Sequence, residues 1–184
     1  MITTKGIRPN KTIASDYEET QRLKQRFHKL KQTRKPFYLT YDDFDKILHW
    51  KLRKQYGRQS TIREDNTEEI VKKISLLALN ISHKNKDYEI ELKIKILTSI
   101  RGVEIRVASA ILTLCYPERY AVIDSWNWQE IYGVKKKTFT INDYKKYMKT
   151  IRRFADQLDW LPQEVDIAIW GKVEQQKKEK STLR

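Results

Sequence analysis

Ile96-Leu97-Thr98-Ser99-Ile100-Arg101-Gly102-Val103-Glu104-Ile105-Arg106-Val107-Ala108-Ser109-Ala110-Ile111-Leu112 reads as two helices joined by a turn of a few residues, with Gly102 inside the turn. The spacing predicts helices over 92–101 and 105–115 around a turn at 101–104, a hairpin of about 92–115. Ala108, Ser109 and Ala110 open the second helix with small side chains, which lets the two backbones approach closely. The first amides of that helix point outward and suit a phosphate oxygen. Any tight helical hairpin needs a glycine and small residues at its crossing, and spacing alone favours that plainer use.

Immediately upstream, Tyr88, Ile90, Leu92, Ile94 and Ile96 alternate strictly with Glu89, Glu91, Lys93 and Lys95. A period of two with β-branched residues is the pattern of a strand. Against it, Glu89–Lys93 and Glu91–Lys95 are i,i+4 pairs in the favourable orientation, each worth about 0.3 kcal/mol. A lone strand would also find no partner elsewhere in the chain. We read 88–96 as helix.

Further out the pattern is helix after helix. Ser15 with Glu18, Thr40 with Asp43, Asn66 with Glu69 and Thr140 with Asp143 are helix starts of the capping-box kind. Apolar stripes follow them: Leu23, Phe27 and Leu30; Phe44, Ile47 and Leu48; Ile70, Ile74 and Leu77; Tyr144, Tyr147, Met148, Ile151, Phe154 and Leu158. Residues 57–65 are polar and basic and read as a loop. Pro162 restarts the chain at the first turn of a last helix burying Val165, Ala168 and Ile169. The expectation is an all-α fold: one helical domain over 14–173, a flexible N-terminus over 1–13 and a charged C-terminal tail over 174–184.

Composition agrees. Five Gly and four Pro in 184 residues are too few for a β-sandwich or barrel. No run of eighteen apolar residues is present to span a membrane, and 1–10 lacks the apolar core of a signal peptide. The single cysteine, Cys115, excludes an internal disulfide or a thiolate cluster held by this chain alone and points to a reducing, cytoplasmic setting. The net charge of +14 favours a nucleic-acid partner over a membrane.

Here the hairpin resembles the helix-hairpin-helix segment of the HhH-GPD superfamily of DNA base-excision glycosylases. That family reads roughly L-P-G-V-G-x-x-T/V-A-x-x-I, against Ile100-Arg101-Gly102-Val103-Glu104, Val107-Ala108 and Ile111 in this chain. Asp124 follows Gly102 by 22 residues, the spacing of the family's catalytic aspartate, and Tyr120-Ala121-Val122-Ile123-Asp124-Ser125-Trp126 matches its apolar approach. The likeness is sharp over 97–133 and diffuse elsewhere. Ile47-Leu48-His49-Trp50-Lys51 and Glu164-Val165-Asp166-Ile167-Ala168-Ile169-Trp170 also look like segments of small prokaryotic members without an iron–sulfur cluster. The resemblance implies a glycosylase-like helical domain acting on duplex DNA, damaged or modified, with Asp124 assisting hydrolysis of an N-glycosidic bond. It implies no cofactor beyond a monovalent cation on the hairpin backbone.

Two departures matter. Glu104 replaces the second hairpin glycine and puts a carboxylate beside the phosphate site. Arg106 stands where bifunctional members carry a lysine, and a guanidinium does not lose its proton to form a Schiff base. The expected reaction is therefore monofunctional. The alternative is a glycosylase-like module that binds nucleic acid without catalysis, and RNA is a second ligand the charge would suit.

The remaining candidates rest on residue type. Arg101, Gly102, Val103, Glu104 and Arg106 at the hairpin, with Lys135, Lys136 and Lys137, are the expected nucleic-acid contacts. Trp50 and Trp126 could stack on an extruded base, although a helical Trp is more often core. Lys51 could supply an amine, but only if it lies opposite Asp124. His28, His49 and His83 lack metal-ligand spacing, so no metal site is assigned.

Overall fold

Ile105–Cys115 contains no charged residue beyond Arg106, so it has no side suited to water. The computed structural model, which describes residues 2–182, buries that helix from Val107 through Cys115. In chain order the helices are α1 (Thr4–Ile7), α2 (Tyr17–Thr33), α3 (Tyr41–Leu52), α4 (Ser60–Arg63), α5 (Glu68–Asn80), α6 (Lys86–Leu97), α7 (Ile105–Cys115), α8 (Ser125–Tyr132), α9 (Ile141–Leu158) and α10 (Pro162–Thr182). Short 3-10 turns cover Arg8–Asn10 and Arg53–Gln59, and there is no strand among the described residues. The chain is an all-α single domain. Helices α2, α3 and α6 pack around α7, α5 pairs with α6, and α10 lies against α8, α9 and the N-terminal turns.

Local chemistry sets most helix starts. Thr40 and Asp43 form a reciprocal capping box at α3, as do Thr140 and Asp143 at α9. The α9 stripe from Tyr144 to Leu158 is buried as its periodicity predicts. Residues 88–96 are helical within α6.

Several expectations are corrected. Ser15 and Glu18 form no box: Ser15 N and Oγ donate instead to Glu174 at 3.0 and 2.7 Å, and Asp16 precedes α2. Thr67 rather than Asn66 caps α5. Residues 57–65 are a 3-10 turn and α4 rather than an open loop. The first hairpin helix spans Lys86–Leu97, not 92–101, so the connection is 98–104. The stretch expected as a flexible N-terminus carries α1 with Ile7 fully buried, and α10 continues through the expected tail to Thr182. Residues 183–184 lie outside the described residues.

The pair Glu89–Lys93 is absent, because both side chains lie in the buried stripe of α6 with Ile90, Ile94 and Leu97. Lys93 Nζ donates to Ala78 O at 2.8 Å and Leu79 O at 3.1 Å, satisfying carbonyls at the end of α5. Burial lowers the Lys93 ammonium to about 8 against the pull of Glu89. Glu89 accepts from His83 N at 2.9 Å, Tyr120 Oη at 2.8 Å, Lys86 Nζ at 3.2 Å and the Arg119 guanidinium. Burial would raise this carboxyl, but these donors outweigh it and hold it at about 2, below the ordinary 4.5.

A carboxyl depressed on folding adds stability that is complete above its unfolded value. That stability is lost as pH falls through about 4.5 toward about 2. Glu89→Gln should lower unfolding stability at neutral pH by about 3 kcal/mol and flatten the acid dependence in that window. Urea melts from pH 6 to 2.5 check this; parallel acid limbs in variant and wild type would contradict it.

Candidate functional site

Between α2, α3, α7 and α10 lies a partly enclosed pocket with a cavity volume of about 60 Å³. Trp50, Leu114 and Ile167 form apolar wall, while Asp16, Lys51, Arg53, Asp124 and Asp166 bring five ionisable groups to it. Few polar groups converging in an apolar concavity are the usual composition of a ligand site.

Asp124 is the N-cap of α8. Its Oδ1 accepts from Trp126 N and Asn127 N, both at 2.8 Å, which fixes the carboxylate on the positive end of the helix. Oδ2 has no hydrogen-bond partner among the described residues. One side chain therefore caps the helix and offers a free oxygen at the pocket.

Lys51, near the end of α3, lines the same pocket as Asp124 although the two are remote in sequence. That is the arrangement on which its candidacy depended. Its Nζ forms no ion pair or hydrogen bond with the described residues; burial lowers its proton affinity, Asp124 and Asp166 oppose that, and Arg106 adds to it. Asp166 on α10 is 6% exposed, and its Oδ2 accepts from Val122 N at 2.6 Å. Burial drives this carboxyl well above the ordinary range; the Val122 amide and Lys51 oppose the shift and the charge of Asp124 adds to it. Asp16 is raised by burial despite its ion pair with Arg53, and its Oδ1 is buried with no partner. Arg53 takes φ 50° to leave α3 and lays its guanidinium 4.8 Å from the Trp170 ring centre.

At the hairpin, Gly102 has φ 79°, a conformation that favours glycine. Asn66 clamps the neighbouring peptide: its Nδ2 donates to Arg101 O at 2.8 Å and its Oδ1 accepts from Arg101 N at 3.1 Å. Arg101 is exposed and pairs with Asp65, whereas Val103 is buried. Glu104 is the N-cap residue of α7 but its exposed side chain makes no cap bond, and Arg106 is half-buried close to Lys51. A monovalent cation on this turn would compete with Val103 N, which donates to Ile100 O, and with Asn66 on Arg101 O. The turn does not fit it well.

The other candidates separate. Lys135 and Lys137 are exposed, but Lys136 is held by Asp143 at 2.7 Å. Trp50 is buried and donates from Nε1 to Thr20 Oγ1 at 3.1 Å, so it is pocket wall. Trp126 is half-buried and stacked on Trp170, with Lys177 over its ring. Cys115 is a core thiol, raised by burial. The ionisable pocket groups that residue patterns did not single out are Asp16, Arg53 and Asp166. For Asp166 a signal existed: it interrupts the apolar run Val165 to Ile169.

Because asparagine caps helices about as well as aspartate, Asp124→Asn should leave stability nearly unchanged, whereas Asp124→Ala should cost about 1 kcal/mol. Thermal and urea melts check this, and a large loss in Asp124→Asn would mean the charge itself holds the fold.

No protein-family model, curated protein or solved structure matches the chain.

Proposed function

We propose that the protein binds duplex DNA through an HhH-GPD-like hairpin formed by α6, 98–104 and α7, and excises a modified base by hydrolysing its N-glycosidic bond. The observation that carries this reading is the free Oδ2 of Asp124, held at the pocket while α8 amides fix Oδ1. Breaking the bond builds positive charge on the sugar, and a preorganised carboxylate in a poorly hydrated site stabilises it. The pocket receives a base rotated out of the duplex. The +14 charge supplies affinity for phosphates. Water is the nucleophile, since Arg106 cannot serve as an amine.

A catalytically silent DNA-binding module is the second reading, and exposed Glu104 at the start of α7 favours it. A carboxylate there repels the phosphate that the helix amides would hold.

Binding to duplex DNA should weaken steeply with salt, because each neutralised phosphate releases counterions. Glu104→Gly should tighten it if the hairpin touches phosphate. Fluorescence anisotropy across a salt series measures both, and salt-independent binding would speak against the DNA reading.

On duplexes carrying varied modified bases, the wild type should generate heat-labile abasic sites and Asp124→Asn should lose at least about 100-fold in rate. Wild-type binding without excision would select the silent module. Borohydride should trap no covalent adduct during excision. An adduct would reassign the nucleophile to an amine, with Lys51→Gln the first substitution to make.

A further inference from the structure

We propose that Asp166 is the acid that protonates the departing base, and that the pocket is therefore built for an uncharged base rather than a cationic alkylated one. This assignment rests on the base-excision reading and adds a second catalytic carboxyl and a substrate class to it.

Of the three carboxyls in the pocket, Asp124 and Asp166 are tied together through Asn127 and have opposite surroundings. Asp124 is half-buried and sits on helix amides that favour its anion. Asp166 is almost wholly buried, receives one backbone N–H, and has no ion pair within 4.0 Å among the described residues. A carboxyl taken from water with so little compensation keeps its proton. The groups around it are Lys51 from α3, Asp124 at α8, Asp16 and Lys24 from the α2 side, and Tyr144 and Tyr147 from α9. The Val122 amide and the two lysines favour its ionisation, Arg53 also lines the pocket, and none of these cations forms an ion pair with it. Burial correspondingly shifts its titration well upward. Two carboxyls in such different surroundings divide into an acid and an anionic stabiliser.

The structure also holds Asp166 rigidly. Val122 N binds its Oδ2 at 2.6 Å, and Asn127 Nδ2 binds its backbone carbonyl at 2.9 Å. Asn127 N simultaneously binds Asp124 Oδ1 at 2.8 Å, so one residue ties the two carboxyls into a common frame. A catalytic acid needs such placement.

The step balances without a cofactor. The C1′–N bond breaks and its electron pair goes to the base, which takes the Asp166 proton at a ring nitrogen or carbonyl oxygen. Asp124 stabilises the cation left on the sugar. Water forms the new C1′–O bond, and the proton it sheds restores Asp166 through the pocket solvent. A cationic alkylated base already leaves as a neutral molecule and needs no such acid.

The test compares a neutral base that the wild type excises with a ring-fluorinated analogue of the same base, whose greater acidity lessens the need for a proton. Asp166→Asn keeps an acceptor for Val122 N and so preserves the fold contact. It should lose about 100-fold or more on the parent base and far less on the analogue. Asp124→Asn should lose equally on both. Equal loss on both bases in Asp166→Asn, or no loss, overturns the assignment and leaves base excision standing. Should that variant not fold, wild-type rates decide: a shallow rise with leaving-base acidity is expected, and a steep rise, meaning departure as an anion, overturns it. Failure of the wild type to excise any base overturns the functional reading and this assignment together.

Discussion

The constraint on which the rest of the structure depends is the burial of the irregular segment 120–124. Tyr120, Ala121, Val122 and Ile123 are all buried, yet the segment belongs to no helix and finds no sheet. Its backbone polar groups must be satisfied by something else. Side chains from three helices supply the partners: Asp166 accepts from Val122 N, Ser109 accepts from Ile123 N at 3.2 Å, and Tyr144 donates to Ala121 O at 3.1 Å. This explains why α7, α9 and α10 carry polar residues on otherwise apolar faces. It also delivers the chain to Asp124 at a fixed point, where the next helix begins.

The walls of the pocket follow from that anchoring. Asn127 in the first turn of α8 donates to the backbone of Asp166, joining α8 to α10. On the other side of α10, Gly171 permits a very close approach of 13–14, since a Cβ there would lie 2.6 Å from Ile13 and 2.8 Å from the Ala14 amide. That approach lets Glu174 hold Ser15 and brings Asp16 to the pocket. The N-terminal stretch and the last helix thus build the site jointly, which is why neither behaves as a loose end.

Charge is distributed in two opposed ways. The chain as a whole carries +14, whereas the pocket gathers Asp16, Asp124 and Asp166 against Lys51 and Arg53. A basic exterior attracts a polyanion over long range. An acid-rich, partly enclosed interior suits a centre of developing positive charge. The hairpin stands between these roles: Arg101 is partly neutralised by Asp65, and Glu104 sits at the amides of α7.

Local chemistry alone determined the all-α character, the capping boxes at Thr40 and Thr140, the α9 stripe, and Asp124 as a residue suited to cap α8. These depend on residues within one or two turns of each other, so spacing encodes them. The alternation in 88–96 was harder to read for a definite reason. Glu89 and Lys93 occupy the buried stripe of α6, so its polar residues mimic the solvent side of a strand. Ser15, Asn66 and Asp166 escaped local reading because their partners, Glu174, Arg101 and Val122, are distant in sequence. Only the tertiary structure placed Lys51 with Asp124, and only burial by surrounding helices drives the Asp166 carboxyl well above the ordinary range.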